Sequence, residues 1–205
     1  SAPDNYGTSY YYRGNVTNNY VKFGTNESGQ DMYWRILRIN GDGSIRLIYD
    51  GTSAHANNDS STDRQVGTSA YNSSYTDNAY VGYMYGTAGS STYEDTHANT
   101  NDSTIKAYLD NWYKTNIEDK GLSSYISDTL FCNDRSLYNT PPSGYSNLGY
   151  GVENTAYRWY SYSSANGVSL KCKNQNDRFT VKDTVIGNGS LNYPIGLVNT
   201  DEVYL

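Results

Sequence analysis

Residues 33–51 read YWRILRINGDGSIRLIYDG: two apolar runs that flank Asn40-Gly41-Asp42-Gly43. That linker holds both Asn-Gly and Asp-Gly, the dipeptides whose backbone freedom suits a tight turn between antiparallel strands, so the stretch predicts a β-hairpin. With Ile39 opposite Ser44, one face carries Trp34 and Ile36 against Leu47 and Tyr49. The other carries Leu37, Ile39 and Ile48 beside Arg35 and Arg46. Apolar residues on both faces predict a central place in a sheet rather than an edge.

Further along, STIKAYLDNWYK (103–114) sets Ile105, Leu109 and Trp112 at helical spacing, with Asp102 or Ser103 available as N-cap. A second helical piece is expected in NIEDKGLSSYI (116–126), with Asn116 capping its start and Gly121 ending a turn. FCNDRS (131–136) and SLKCKNQNDRFTV (169–181) read as strands or strand ends. LNYPIGLVNTDEVYL (191–205) reads as a hairpin with a bulge or edge at Pro194. Segments 50–102 and 133–165, rich in Asn, Ser, Thr, Gly and Tyr, read as long loops. The expectation is an α+β chain: a twisted antiparallel sheet with one or two short helices, forming a single domain over 1–205.

Leu, Ile, Val and Phe together number only 33 of 205 residues, while there are 24 Tyr against 3 Phe. Tyrosine is therefore expected to supply part of the core, because a phenol buries its ring and keeps its hydroxyl at a wet edge. With 15 basic and 21 acidic residues, the net charge of −6 provides no basic stripe to follow a phosphate backbone, which argues against nucleic acid. No run of apolar residues is long enough to cross a membrane as a helix. The opening SAPDNYGT has neither the charged nor the apolar part of an export leader, so a leader is expected to have been removed.

Cys132 and Cys172 form no C-x-x-C motif, and two histidines do not complete a zinc site. In an exported chain the pair is expected as a disulfide, worth about 4 kcal/mol on the chain-entropy model. No G-x-S-x-G elbow, dinucleotide loop or P-loop lysine occurs, and the chain is expected not to be an enzyme. No cofactor is called for, with calcium the one candidate: NNDSSTDR (57–64) and NTNDS (99–103) concentrate the hard oxygen ligands that this ion takes, without matching a twelve-residue calcium loop. The two histidines fall in a short echo, SAHANNDSS (53–61) and THANTNDST (96–104).

Taken together, YYYRGNVTNNYVKF, YWRILRINGDGSIRLIYDGT, STIKAYLDNWYKTN, FCNDRS, SLKC and YPIGLVNTDEV resemble a family: an exported domain of uncharacterised function common in gut-dwelling Gram-positive bacteria. The resemblance spans roughly residues 9–205. It implies the C-type-lectin-like fold seen in formylglycine-generating enzymes and in the variable proteins of diversity-generating retroelements, placed outside the cell or at its surface. It further implies structural roles for Trp34, Trp112, Cys132, Asp134, Arg135 and Cys172. Members of that family continue past the DEV segment with closing strands. On that pattern the chain lacks its C-terminal strands, and a sheet edge is expected to be bare. The N-terminal YYYRGNVTNNYVKF would pair within its own chain or serve as a donor strand to another.

The function expected from this is a cell-surface binding or adhesion module whose Tyr-, Asn- and Ser-rich loops meet an extracellular glycan or protein. Tyr, Ser, Gly and Asn are the residues of antibody loops, where Tyr supplies a large amphipathic contact at little entropic cost. The candidate contacts are Tyr71, Tyr75, Tyr80, Tyr83 and Tyr85 in SAYNSSYTDNAYVGYMYGTAG (69–89), and the cluster Arg158, Trp159 and Tyr160. The alternative is a structural subunit of a pilus-like surface filament, self-assembled by strand or loop packing between copies.

Overall fold

The computed structural model describes residues 1–151, 153–161 and 168–204. Their strands are β1 (Ala2–Pro3), β2 (Thr8–Tyr11), β3 (Tyr20–Thr25), β4 (Asp31–Ile39), β5 (Ile45–Tyr49), β6 (Met84–Tyr85), β7 (Asn101–Asp102), β8 (Phe131–Cys132) and β9 (Arg178–Phe179). The α-helices are α1 (Tyr93–Thr96), α2 (Thr104–Tyr113) and α3 (Thr200–Tyr204). The class is α+β, with antiparallel pairing throughout the main sheet and a few short helices.

The hairpin forms, and β4 is central: β5 lies on one side, while β3 and β2 follow one another along the other. The turn is one residue longer than expected. Asn40 donates its N–H to Ser44 O, and its side chain bridges Arg38 Nε and Ser44 Oγ, so Ile39 faces Ile45 rather than Ser44. A bulge at Leu37 absorbs the extra residue, which restores the expected Ile36↔Leu47 and Trp34↔Tyr49 pairs beyond it. The N-terminal segment pairs inside its own chain, through β2 and β3.

Helix α2 starts where the sequence puts it, with the Ser103 side chain accepting the Lys106 N–H. It covers the sheet through Trp112, whose ring meets Trp34 and Tyr49 edge-on at 6.0 and 5.9 Å. Such contacts add roughly 1 kcal/mol each to the area they bury. Two cores flank the helix: Tyr83, Met84, Leu109, Phe179 and Leu191 on one side, Met32, Tyr113 and Ile117 on the other. Tyrosine supplies core as its abundance requires, since Tyr83, Tyr113 and Tyr157 are all buried.

Two local expectations are corrected. Asn116 caps nothing: it sits inside a π turn, Lys114–Glu118, that prolongs α2, and its Nδ2 donates to Trp112 O. Among the described residues of 191–205 the expected hairpin does not form. Residues 191–199 run irregularly and then enter α3, because Asn199 and Glu202 cap each other: Asn199 N–H donates to Glu202 Oε2 and Glu202 N–H to Asn199 Oδ1. The strand readings at 131–136 and 169–181 hold as one small ribbon, β8 with β9, while β6 and β7 pair inside the 50–102 segment expected as loop. Cys132 and Cys172 form the expected disulfide across 40 residues, with Cα atoms 5.6 Å apart.

Candidate functional site

Segments distant in sequence meet at a cleft of about 350 Å³ beside the disulfide. One wall is Tyr71, Tyr80, Val81 and Gly82, a second is Cys132–Asp134, a third is Arg158 and Trp159, and 197–201 closes the fourth side. The first wall is shaped by a 3₁₀ turn at Asn78–Tyr80, where the Asp77 carboxylate accepts the Ala79 N–H. Gly82 then takes φ +112°, and a Cβ there would meet Arg135 Cδ at 2.8 Å, so the wall lies closer to Arg135 than a side chain allows.

Arg158 ties two walls together. Its Nε donates to Asp134 Oδ2 and its Nη2 to Asp201 Oδ2, each at 2.5 Å. Partial burial of the guanidinium works against its charge, but those two carboxylates outweigh that and raise its pKa. Asp134 and Asp201 are themselves positioned by backbone: Asp134 Oδ1 accepts Ser136 N–H and Asp201 Oδ1 accepts Ser169 N–H. Asn133 Nδ2 donates to the Tyr71 hydroxyl, which fixes that ring at the rim, while burial pushes the Tyr71 phenol upward and keeps it neutral.

Of the residues expected to contact a ligand, Tyr71, Tyr80, Tyr83 and Trp159 line this cleft. Trp159 and Tyr71 stand 41 % and 40 % exposed at its mouth. Tyr83 is different in kind: at 2 % exposure it belongs to the core, packs edge-on to Phe179 and accepts the Leu197 N–H at its hydroxyl. Tyr85 stands behind, stacked obliquely on Tyr80 at 4.6 Å. Tyr75, 99 % exposed, is not part of the cleft. The Tyr160 side chain lies outside the described residues. The cleft's polar half, Asn133, Asp134, Asn199 and Asp201, was missed as ligand-facing in the sequence.

The loops considered for calcium use their oxygens otherwise. Asp59 and Asp63 hold the two ring nitrogens of His55 at 2.8 and 2.9 Å, and hydrogen bonds from that ring raise its pKa. Asp102 pairs with Lys106, and Asn99 Oδ1 accepts from Arg135. His97, the counterpart of His55 in the sequence echo, is buried under Tyr93 instead. Among the described residues no group of acids, histidines and cysteines is arranged to hold a metal ion, and no helix is long and apolar enough to cross a membrane. No family model, curated protein or solved structure matches the chain.

Proposed function

We propose that this protein is an exported recognition module of C-type-lectin-like architecture that binds a glycan in the cleft between Tyr71 and Trp159. The observation that carries the reading is the pairing of two half-exposed aromatic rings with a rim of Asn133, Asp134, Arg158 and Asp201. A flat ring covers the apolar face of a sugar while fixed amide, carboxylate and guanidinium groups meet its hydroxyls, and about 350 Å³ falls in the lower range of small-ligand clefts. The central antiparallel sheet, the long loops and the disulfide support the architecture and an oxidising destination.

Binding rather than catalysis is favoured because Asp134 and Asp201 are both held by Arg158, which leaves neither poised to move a proton. The test is a glycan array probed with residues 1–205 and with Trp159→Ala. The expected result is a restricted set of bound glycans and at least about a tenfold loss of affinity in the variant. No glycan bound, or equal affinity in the variant, would overturn the reading, and a protein ligand captured through the same cleft would replace its substrate class.

A further inference from the structure

Strands β2 and β3 pair one after the other with the same edge of β4, and the chain between them bows away from it. Tyr11 lies opposite Arg38 where β2 ends, and Tyr20 opposite Arg35 where β3 begins. Gly14 turns the connecting segment at φ +79°, a conformation that suits glycine, and Val16 N–H closes that turn on Gly14 O. At the far end Ile36 N–H donates to Asn19 O and Asn19 Nδ2 to Ile36 O. Asn57, from the loop after β5, donates to Asn15 Oδ1 and Val16 O and accepts from Arg35 at its Oδ1. The result is a braced pocket of about 620 Å³ that shares no lining residue with the cleft between Tyr71 and Trp159.

A cation at its wall lacks a full set of acceptors. The Arg38 side chain is 8 % exposed, and its Nε donates to Asn40 Oδ1. Its Nη1 lies 2.9 Å from Glu202 Oε1, an oxygen that Arg46 Nε approaches at 3.3 Å, yet none of these three atoms completes a hydrogen bond. Nη2 meets no acceptor among the described residues and, unlike Nη1, is not sealed from solvent. Two arginines thus share one carboxylate, whose other oxygen is taken by Asn199 N–H. Asp4, a further acid that acts on Arg38, spends its oxygens on Ser9 Oγ and on the N–H groups of Tyr6 and Gly41. Burial lowers the Arg38 pKa; Glu202 opposes that, Arg46 adds to it, and Asp4 does not make up the difference. Arg35, the other arginine of the pocket, is spent on Asp50, Asn57, Tyr20 and His55 O.

We propose that this pocket is a second binding site, for an acidic sugar whose carboxylate is taken by Arg38 Nη2 and whose hydroxyls meet the amides of Asn15 and Asn58. A carboxylate supplies both the missing acceptor and the missing negative charge, in a charge-assisted bond. The rest of the free lining is neutral: Asn15 Nδ2 and the Asn58 amide make no hydrogen bond among the described residues, and Tyr11 and Tyr12 offer phenol rings. Amides and phenols at that spacing match hydroxyls and the face of a sugar ring rather than further charge. About 620 Å³ holds a sugar and leaves a bare inorganic anion mostly unsupported. The Arg13 guanidinium, 5.8 Å over the Tyr11 ring, brings another cation to this side of the molecule. The site stands independently of the reading of the Trp159 cleft.

The test titrates residues 1–205 with the methyl glycosides of glucuronic, galacturonic and N-acetylneuraminic acid, and with methyl glucoside and methyl galactoside as neutral counterparts. Binding is followed by NMR at the backbone amides of Leu37, Arg38 and Asn58 and at Arg38 Nε–H. At least one acid should shift these signals and bind at least about tenfold more tightly than either neutral sugar; which acid does so separates a hexuronic acid from a sialic acid. Arg38 braces the fold, so the variants are placed at the exposed rim: Tyr12→Ala, at a side 52 % exposed, and Asn58→Gly, which removes the amide and suits φ +67°. Each should weaken the acid by at least about fivefold with the fold intact, whereas Trp159→Ala should bind it as the parent does. Failure of all three acids, neutral sugars bound equally well, or rim variants that bind like the parent would overturn the proposal. Shifts at 133–134 and 158–159 instead, lost in Trp159→Ala, would assign the acid to the other cleft and leave no second site.

Discussion

Arg135 and Asp177 meet at 2.7 Å, Nε to Oδ1, with both side chains buried. Every nitrogen of the guanidinium donates: it also reaches Met84 O, Asn99 Oδ1 and Asn176 O, so it joins β6, the 97–102 loop and the segment before β9. Burial drives the Asp177 pKa upward, the Asp134 charge adds to it, and Arg135 opposes both without cancelling them. Removing one partner strands the other charge. Arg135→Met or Asp177→Asn should each destabilise the fold by about 3–5 kcal/mol, and the double variant by less than the sum of the two. Urea midpoints of the three proteins measure this, and additive single effects would show that the pair is not coupled.

His97 provides a pH signature. Its ring is stacked on Tyr93 at 4.1 Å, its Nδ1 donates to Tyr93 O, and Nε2 lies 3.1 Å from the Tyr157 hydroxyl. Burial lowers its pKa from 6.5 to about 4; the Arg135 charge adds to that, and the Tyr93 bond works against it. The folded value thus lies below the unfolded one. Above pH 6.5 neither state is protonated at this ring and the full stability is present; as pH falls the unfolded chain takes up a proton that the folded one refuses. Stability should drop by about 3 kcal/mol between pH 6.5 and 4 from this residue. His97→Gln should flatten that part of the profile, whatever its effect at pH 7. An unchanged slope in the variant would assign the pH dependence to other groups.

The disulfide between Cys132 and Cys172 closes 40 residues that include two walls of the cleft. Thiol titration of the unreduced, denatured protein should find no free thiol. Reduction should lower stability by about 4 kcal/mol. Two titratable thiols per chain would contradict the pairing.

The parts of this fold that were legible in the sequence carry their signals locally. The Asn-Gly-Asp-Gly turn, the Ser103 cap and the Ile105–Leu109–Trp112 stripe each lie within a few residues of what they specify. The bulge at Leu37 was not legible, because it answers a turn that became one residue longer through side-chain bonds of Asn40. Helix α3 falls in the 191–205 segment expected as a hairpin, although Asn199-x-x-Glu202 is the pattern of a capping box and was available as a signal. Half of the cleft was legible as aromatic residues in loops. Its polar half comes from 133–134 and 199–201, brought together through the ion pairs of Arg158 across the fold, and no spacing in the chain announces such pairs. Tyr71 and Tyr83 look alike in sequence for a similar reason: the segment between them is irregular, so no periodicity sorts rim from core.

Residues that hold the cleft and residues that face its ligand should separate on substitution. Arg158 reaches two carboxylates because its guanidinium offers N–H groups pointing in different directions. A lysine ammonium is a single point of charge, so Arg158→Lys should keep one of Asp134 and Asp201 and release the other. The released carboxylate is left buried and without its cation, at a cost of about 2 kcal/mol. Amide exchange in 199–202 or 133–136 should quicken accordingly. Trp159 is half-exposed, so Trp159→Ala should stay within about 1 kcal/mol of the parent protein while losing ligand. An Arg158→Lys protein as stable as the parent would show that the two ion pairs do not brace the walls. A Trp159→Ala protein that fails to fold would place the indole among the core residues and remove it from the contact surface.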